Sequence, residues 1–201
     1  MNNFTLKKSF YTHADTLGIA RALLGKKLMT SFEGKVTAGI ICETEAYCGV
    51  EDRGCHAYSG RFTERTKIMY AEGGVSYVYL CYGVHYLFNV VTHVAGQPHA
   101  VLIRAIEPTE GIPTMLERRN LTKFTSGMGA GPGLVTQCLG LTTKHNGLSL
   151  LGQDIRICDA APINPKQIVA SPRVGMNFSG PYKLIPWRFR IADSPFTSKA
   201  K

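Results

Sequence analysis

Between positions 43 and 60 the chain reads ETEAYCGVEDRGCHAYSG, and four acids, two cysteines, two tyrosines and one histidine fall within eighteen positions. Those residue types permit three readings: ligation of a metal by thiolate and imidazole, acid–base work by paired carboxylates, or a polar surface loop. Spacing separates them. The nearest metal set is Cys48, Cys55 and His56, with six residues between the two cysteines. The six cysteines (42, 48, 55, 81, 138 and 158) contain no CxxC pair, so zinc-finger spacing is absent and no metal is expected. With no secretory signal at the start, reduced thiols are expected rather than disulfides.

Glu43 and Glu45 stand two residues apart in KVTAGIICETEAY. Side chains alternate along a strand, so Glu43, Glu45 and Tyr47 share one side and Cys42, Thr44 and Ala46 the other. The second side is small and apolar, as suits a core-facing surface. Far along the chain, AVLIRAIEP is a nearly all-apolar strand carrying Arg104. A guanidinium there needs an acceptor, and a carboxylate oriented by an arginine can act as a base toward water. The two glutamates are equivalent on this pattern. The acids Glu51 and Asp52, with Arg53, read as a solvated turn.

The elements that must position these groups follow from periodicity. YTHADTLGIARALLGKKL reads as a first helix, with Thr12 and Asp15 spaced as a capping box, Leu17, Ala20 and Leu24 on one stripe, and Gly25 as the stop. GGVSYVYLCYGVHYLFNVV reads as a hairpin turning near Tyr82-Gly83. Tyr77 and Tyr86 read as core aromatics, whereas Tyr82 sits at the turn, placed either to pack or to enter a base stack. TEGIPTMLERRN is helical in its second half, and SLLGQDIRIC and WRFRI are strand-like. SGMGAGPGLV does not fit GxGxxG and has no GK[ST] after it; Pro132 starts a helix, and no nucleotide cofactor is indicated. Strands and helices intersperse without regular βαβ alternation, which indicates one α+β domain over residues 1–201.

Composition narrows the partners. The 201 residues are 44% apolar, enough for a packed core, and hold no apolar run of membrane-spanning length. There are 23 Lys and Arg against 14 Asp and Glu, a net charge of +9. That balance favours a polyanion such as nucleic acid, with a generally basic protein as the plain alternative.

The blocks ETEAYCGVEDRGCHAYSGRFTERTKIMY, SYVYLCYGVHYLFNVV, VLIRAIEP and RVG occur in an order that resembles the alkyladenine (3-methyladenine) DNA glycosylases of the alkylpurine-excising type. The resemblance spans most of the chain. It implies a curved, mostly antiparallel sheet with flanking helices and a protruding β-hairpin. It implies an intracellular monomer without cofactor, in cytoplasm and nucleoid or in a nucleus according to host, acting on double-stranded DNA with damaged purines. Such an enzyme flips an alkylated or deaminated purine (3-methyladenine, 7-methylguanine or hypoxanthine) out of the duplex and hydrolyses its N-glycosidic bond.

Carried over by motif position, Glu45 activates water, which Arg104 and the backbone carbonyl of Val174 help to hold. Tyr47, His56 and Tyr79 enclose the extruded base, and Asn89 crowds the purine 2-position. Tyr82 is the wedge that fills the vacated stack, with Arg61 and Arg65 near the DNA. One departure stands out: Gly133 and Leu134 follow Gly131-Pro132 where the family commonly has a lysine, so a phosphate contact is missing. Two other classes remain. A non-catalytic reader of damaged DNA would lack the base or a usable pocket. A nucleoside hydrolase would need neither the +9 charge nor a wedge.

Overall fold

The computed structural model describes residues 4–199. Its frame is one curled antiparallel sheet built from β1 (Lys27–Phe32), β2 (Lys35–Cys48), β3 (Ser76–Cys81), β4 (His85–Thr92), β5 (His99–Glu110), β6 (Ile155–Cys158), β7 (Ile168–Ser171) and β8 (Arg188–Ile191). The main path runs β3-β4-β5-β2-β1-β6, with β8 also pairing β2 and β7 pairing β8. The expected α+β class is what is observed.

Strand β2 is the hub. Along one edge it pairs β5 for most of its length; along the other it pairs β1 at positions 35–40 and β8 at positions 43–45. A strand so enclosed is buried on both faces, and the stretch from Thr37 to Ala46 is buried throughout except at Ile40. The β2–β5 register slips between Ile41 and Glu43 and returns between Glu43 and Thr44, which leaves Cys42 and Arg104 as the extra residues.

Helices α1 (Lys8–Tyr11), α2 (Thr16–Ala22), α3 (Ile112–Arg119) and α4 (Pro132–Leu139) pack around this sheet. The N-terminal helical stretch is shorter than its periodicity suggests. Thr12 ends α1, and Asp15 itself caps α2, its carboxylate accepting from the Gly18 N–H at 2.8 Å. Gly25 adopts φ 81°, the left-handed conformation that ends the helix and that glycine takes at no steric cost. Ile19, Ala20, Leu23 and Leu24 then join the core, Ile19 and the two leucines each contributing about 1.5–3 kcal/mol by leaving water. Thr44, on the core side of β2, donates to the Ala20 carbonyl at 2.9 Å and ties strand to helix.

The hairpin of β3 and β4 turns through Tyr82, Gly83 and Val84. Tyr82 and Gly83 take φ 51° and 72°, and the Val84 N–H closes onto the Cys81 carbonyl, the pattern of a type I′ hairpin turn. Helix α4 begins at Pro132, as expected, and meets the hairpin at Gly133, where a Cβ would lie 2.9 Å from the His85 ring. The missing lysine thus coincides with a point of close approach between helix and hairpin.

Candidate active site

The side of β2 opposite α2 faces a cavity of about 550 Å³. All ten residues singled out from the sequence line it: Glu45, Tyr47, His56, Arg61, Arg65, Tyr79, Tyr82, Asn89, Arg104 and Val174. They come from β2, the segment that follows it, β3, the hairpin turn, β4, β5 and the segment before β8.

Glu45 sits at the closed end, with no exposed surface. Its Oε1 accepts the Val174 N–H at 2.8 Å and lies 3.3 Å from Arg104 Nη1. Its Oε2 accepts the Tyr47 hydroxyl at 2.9 Å. Two hydrogen bonds and the Arg104 ion pair fix its orientation, and of the about four lone-pair directions of a carboxylate at least one stays open. Val174 therefore meets Glu45 through its backbone N–H, a contact the sequence did not suggest. Burial by itself would lower the Arg104 pKa, but the charges of Glu45 and Glu43 outweigh it and hold the guanidinium above its ordinary value. Arg104 thus finds both glutamates, and geometry separates what the strand pattern left equivalent: Glu45 lines the cavity and Glu43 does not.

The walls are aromatic. His56 and Tyr79 meet edge to face at 4.8 Å between ring centroids, and Arg65 lies 4.6 Å over the Tyr79 ring. Burial, with the charges of Arg65 and Arg61, lowers the His56 pKa to about 4, so the ring is neutral at neutral pH. Burial pushes the Tyr47 and Tyr79 hydroxyls well up, so both stay protonated. Asn89 is buried, and its amide donates to the Tyr77 carbonyl at 3.1 Å, which fixes its head. Tyr82 is 86% exposed at the hairpin tip. Arg61 and Arg65 are exposed on the segment leading into β3, where the Arg61 carbonyl accepts from Thr66 Oγ1 at 3.0 Å.

Two sequence readings change. Tyr77 is buried, but it is not merely core: its hydroxyl pairs with His56 Nδ1 at 2.8 Å and it lines the cavity. Its place two residues before Tyr79 on the same strand was the available signal. Asp52 is not part of a solvated turn. It is fully buried, accepts the N–H groups of Cys48 and Gly54 at 3.0 and 2.8 Å, and is bound by Arg173. A buried carboxylate survives only with such partners, and the short turn brings none from its own side chains. Arg173 also lies 4.8 Å over the Tyr47 ring without lining the cavity, so it backs that ring from outside the cavity.

Among the described residues no group of three or more His, Cys, Asp or Glu stands together as a metal site. Burial, the first cause for both thiols, raises Cys48 to about 12 and Cys55 to about 11, so neither offers a thiolate near neutral pH. No helix among the described residues is long and apolar enough to cross a membrane.

A family model described as methylpurine-DNA glycosylase (MPG) matches residues 9–195. A Chlamydia felis protein named as a candidate 3-methyladenine DNA glycosylase is 46% identical over 187 residues, covering 92% of this chain and 95% of that protein. Proteins with the same name from Chlorobium luteolum and Bacillus cereus are 44% and 41% identical, over 197 and 200 residues. These alignments cover 98% and 95% of this chain, and 97% of each relative.

Proposed function

The chain belongs to the methylpurine-DNA glycosylase family, and we propose that it excises alkylated purines from duplex DNA by flipping them into the cavity beside Glu45. It is a hydrolase of N-glycosyl bonds acting on DNA. The observation that carries the finer reading is the seating of Glu45: a buried carboxylate held by Arg104, the Val174 N–H and the Tyr47 hydroxyl, at the closed end of an aromatic-walled cavity.

The chemistry follows from those contacts. Water on the open lone pair of Glu45 gives its proton to the carboxylate while its oxygen bonds C1′ of the deoxyribose. The C1′–N bond breaks, and its electron pair leaves with the base. Positive charge grows on the sugar as the bond lengthens, and the nearby carboxylate stabilises it. The Val174 carbonyl and Arg104 complete the water's surroundings in this reading.

A purine alkylated at N3 or N7 is cationic and departs neutral, so it needs no proton to leave. Between Tyr47 on one side and His56 with Tyr79 on the other, it gains about 0.5–2 kcal/mol over a neutral base from the electron-rich rings. A damaged base also loses less on leaving its pair than an intact one, by a few kcal/mol at most. The neutrality of His56 suits this role, since a charged imidazolium would repel the cationic base. Asn89, held by Tyr77, is placed to crowd a purine 2-amino group, and Tyr82 to fill the vacated stack. The net charge of +9 suits a phosphate-lined partner, and the protein acts as a monomer on this reading.

The test is release of free base from methylated duplex DNA by wild type and Glu45→Gln. Glu45→Gln is expected to release none while still binding duplex DNA with an abasic site. Release at the wild-type rate would overturn the assignment. No base release by wild type, with binding retained, would favour a non-catalytic reader.

A further inference from the structure

Glu43 lies two residues before Glu45, on the same side of β2, yet it does not line the cavity. It has no exposed surface, and burying a carboxylate is unfavourable unless its lone pairs are matched. Here they are. Oε1 accepts from Arg104 Nε at 2.9 Å, Ser198 Oγ at 2.9 Å and Arg188 Nη1 at 3.4 Å. Oε2 accepts the Ser198 backbone N–H at 2.7 Å. Arg104 Nη2 also reaches Ser198 Oγ at 3.4 Å.

One guanidinium therefore bridges the two carboxylates. Its Nε edge is seated on Glu43, and its Nη1 points to Glu45 Oε1 at 3.3 Å. The register slip in the β2–β5 ladder sets Arg104 off the regular pairing, so side-chain contacts rather than the ladder decide where the guanidinium sits. Those contacts come from two separate parts of the chain, β2 and the segment after β8 that carries Ser198, while Arg188 of β8 reaches Glu43.

We infer that Glu43 is a positioning residue for base excision: together with Ser198 it fixes the Arg104 guanidinium against Glu45, so that Glu45 and the water it activates keep their alignment. This inference rests on the reading of Glu45 as the group that activates water. Among the described residues, the charged and titratable groups facing Glu45 are Arg104 from β5, Tyr47 from β2, Tyr79 from β3 and Arg173 from the segment before β8. Those facing Glu43 among the described residues are Arg104, Arg188 and Cys42. Without the Glu43 carboxylate the Nε edge of Arg104 loses its seat, and the guanidinium is free to turn away from Glu45.

The test measures single-turnover base release from methylated duplex DNA for wild type, Glu43→Gln, Glu43→Asp, Ser198→Ala and Glu45→Gln. Glu43→Gln is expected to bind abasic-site duplex as wild type does and to release base on the order of ten- to a hundred-fold more slowly. Glu43→Asp, which keeps a carboxylate for Arg104, is expected to recover part of the lost rate, a rescue that loss of packing alone would not produce. A wild-type rate in Glu43→Gln, or a Glu43→Asp rate no higher than that of Glu43→Gln, overturns the inference. If Glu43→Gln does not fold, Ser198→Ala decides: a rate several-fold below wild type with unchanged DNA binding supports the inference, and a wild-type rate overturns it. Activity in Glu45→Gln would instead overturn the reading of Glu45. An inactive Glu45→Gln beside an unaffected Glu43→Gln removes only the role given to Glu43.

Discussion

Arg173 holds Asp52 in a two-point ion pair, Nη1 to Oδ2 at 2.6 Å and Nη2 to Oδ1 at 2.7 Å, with both side chains shielded from solvent. The same guanidinium donates to the Ala46 carbonyl at 3.0 Å and lies over the rings of Tyr47 and Trp187. It thereby joins β2, the segment after β2 and the segment before β8. Val174, whose N–H seats Glu45, is the next residue in the chain.

Removing one member of this pair strands the other. Asp52→Ala is expected to lower the unfolding free energy by about 3–5 kcal/mol, because an uncompensated buried charge remains. Chemical denaturation of the variant measures it. A loss under about 1 kcal/mol would mean that water reaches Arg173 readily and that the pair does not brace the site.

Tyr82 tests the opposite regime. Its ring is 86% exposed, so Tyr82→Ala is expected to change stability by no more than about 0.5 kcal/mol. Its single-turnover excision rate is expected to fall, because the ring that fills the gap in the stack is gone. Equal rates for variant and wild type would remove the wedge assignment.

Tyr77→Phe isolates one hydroxyl. The change deletes the 2.8 Å contact with His56 Nδ1 and keeps the ring. Stability is expected to fall by about 0.5–1.5 kcal/mol. Base release is expected to slow by up to about tenfold as the His56 wall loses its brace. Unchanged release kinetics would return Tyr77 to a packing role.

Acid should weaken the fold through two histidines. Burial, then Arg65 and Arg61, lowers His56 to about 4, and burial, then His93, lowers His99 to about 4. An unfolded histidine takes its proton near pH 6.5, so between about 6.5 and 4 the unfolded chain binds more protons than the folded one. The stability from keeping these rings neutral is complete above that window and is lost as pH falls through it. Thermal unfolding from about pH 7 to 4.5 should show Tm falling, with a shallower slope in His99→Gln. A Tm that does not move over that range would contradict the assignment of both rings.

The strand pattern of β2 was legible because alternation is local: it placed Glu43, Glu45 and Tyr47 on one side from the sequence alone. The Tyr82-Gly83 turn was legible for the same reason, and the family motifs supplied roles that spacing could not. Asp52 was misread because nothing within the turn reveals a partner 121 residues away. Tyr77 was misread because core burial and hydrogen bonding to a cavity-lining ring look alike in a hydrophobic run.

By itself the sequence determined which side of the strand Glu43, Glu45 and Tyr47 share, since that follows from a two-residue period, while the roles proposed for them came with the resemblance. Only the tertiary structure decided which of the two glutamates opens to the cavity. That choice depends on Arg104, Arg188 and Ser198 closing over Glu43 from distant parts of the chain, and no local pattern encodes it.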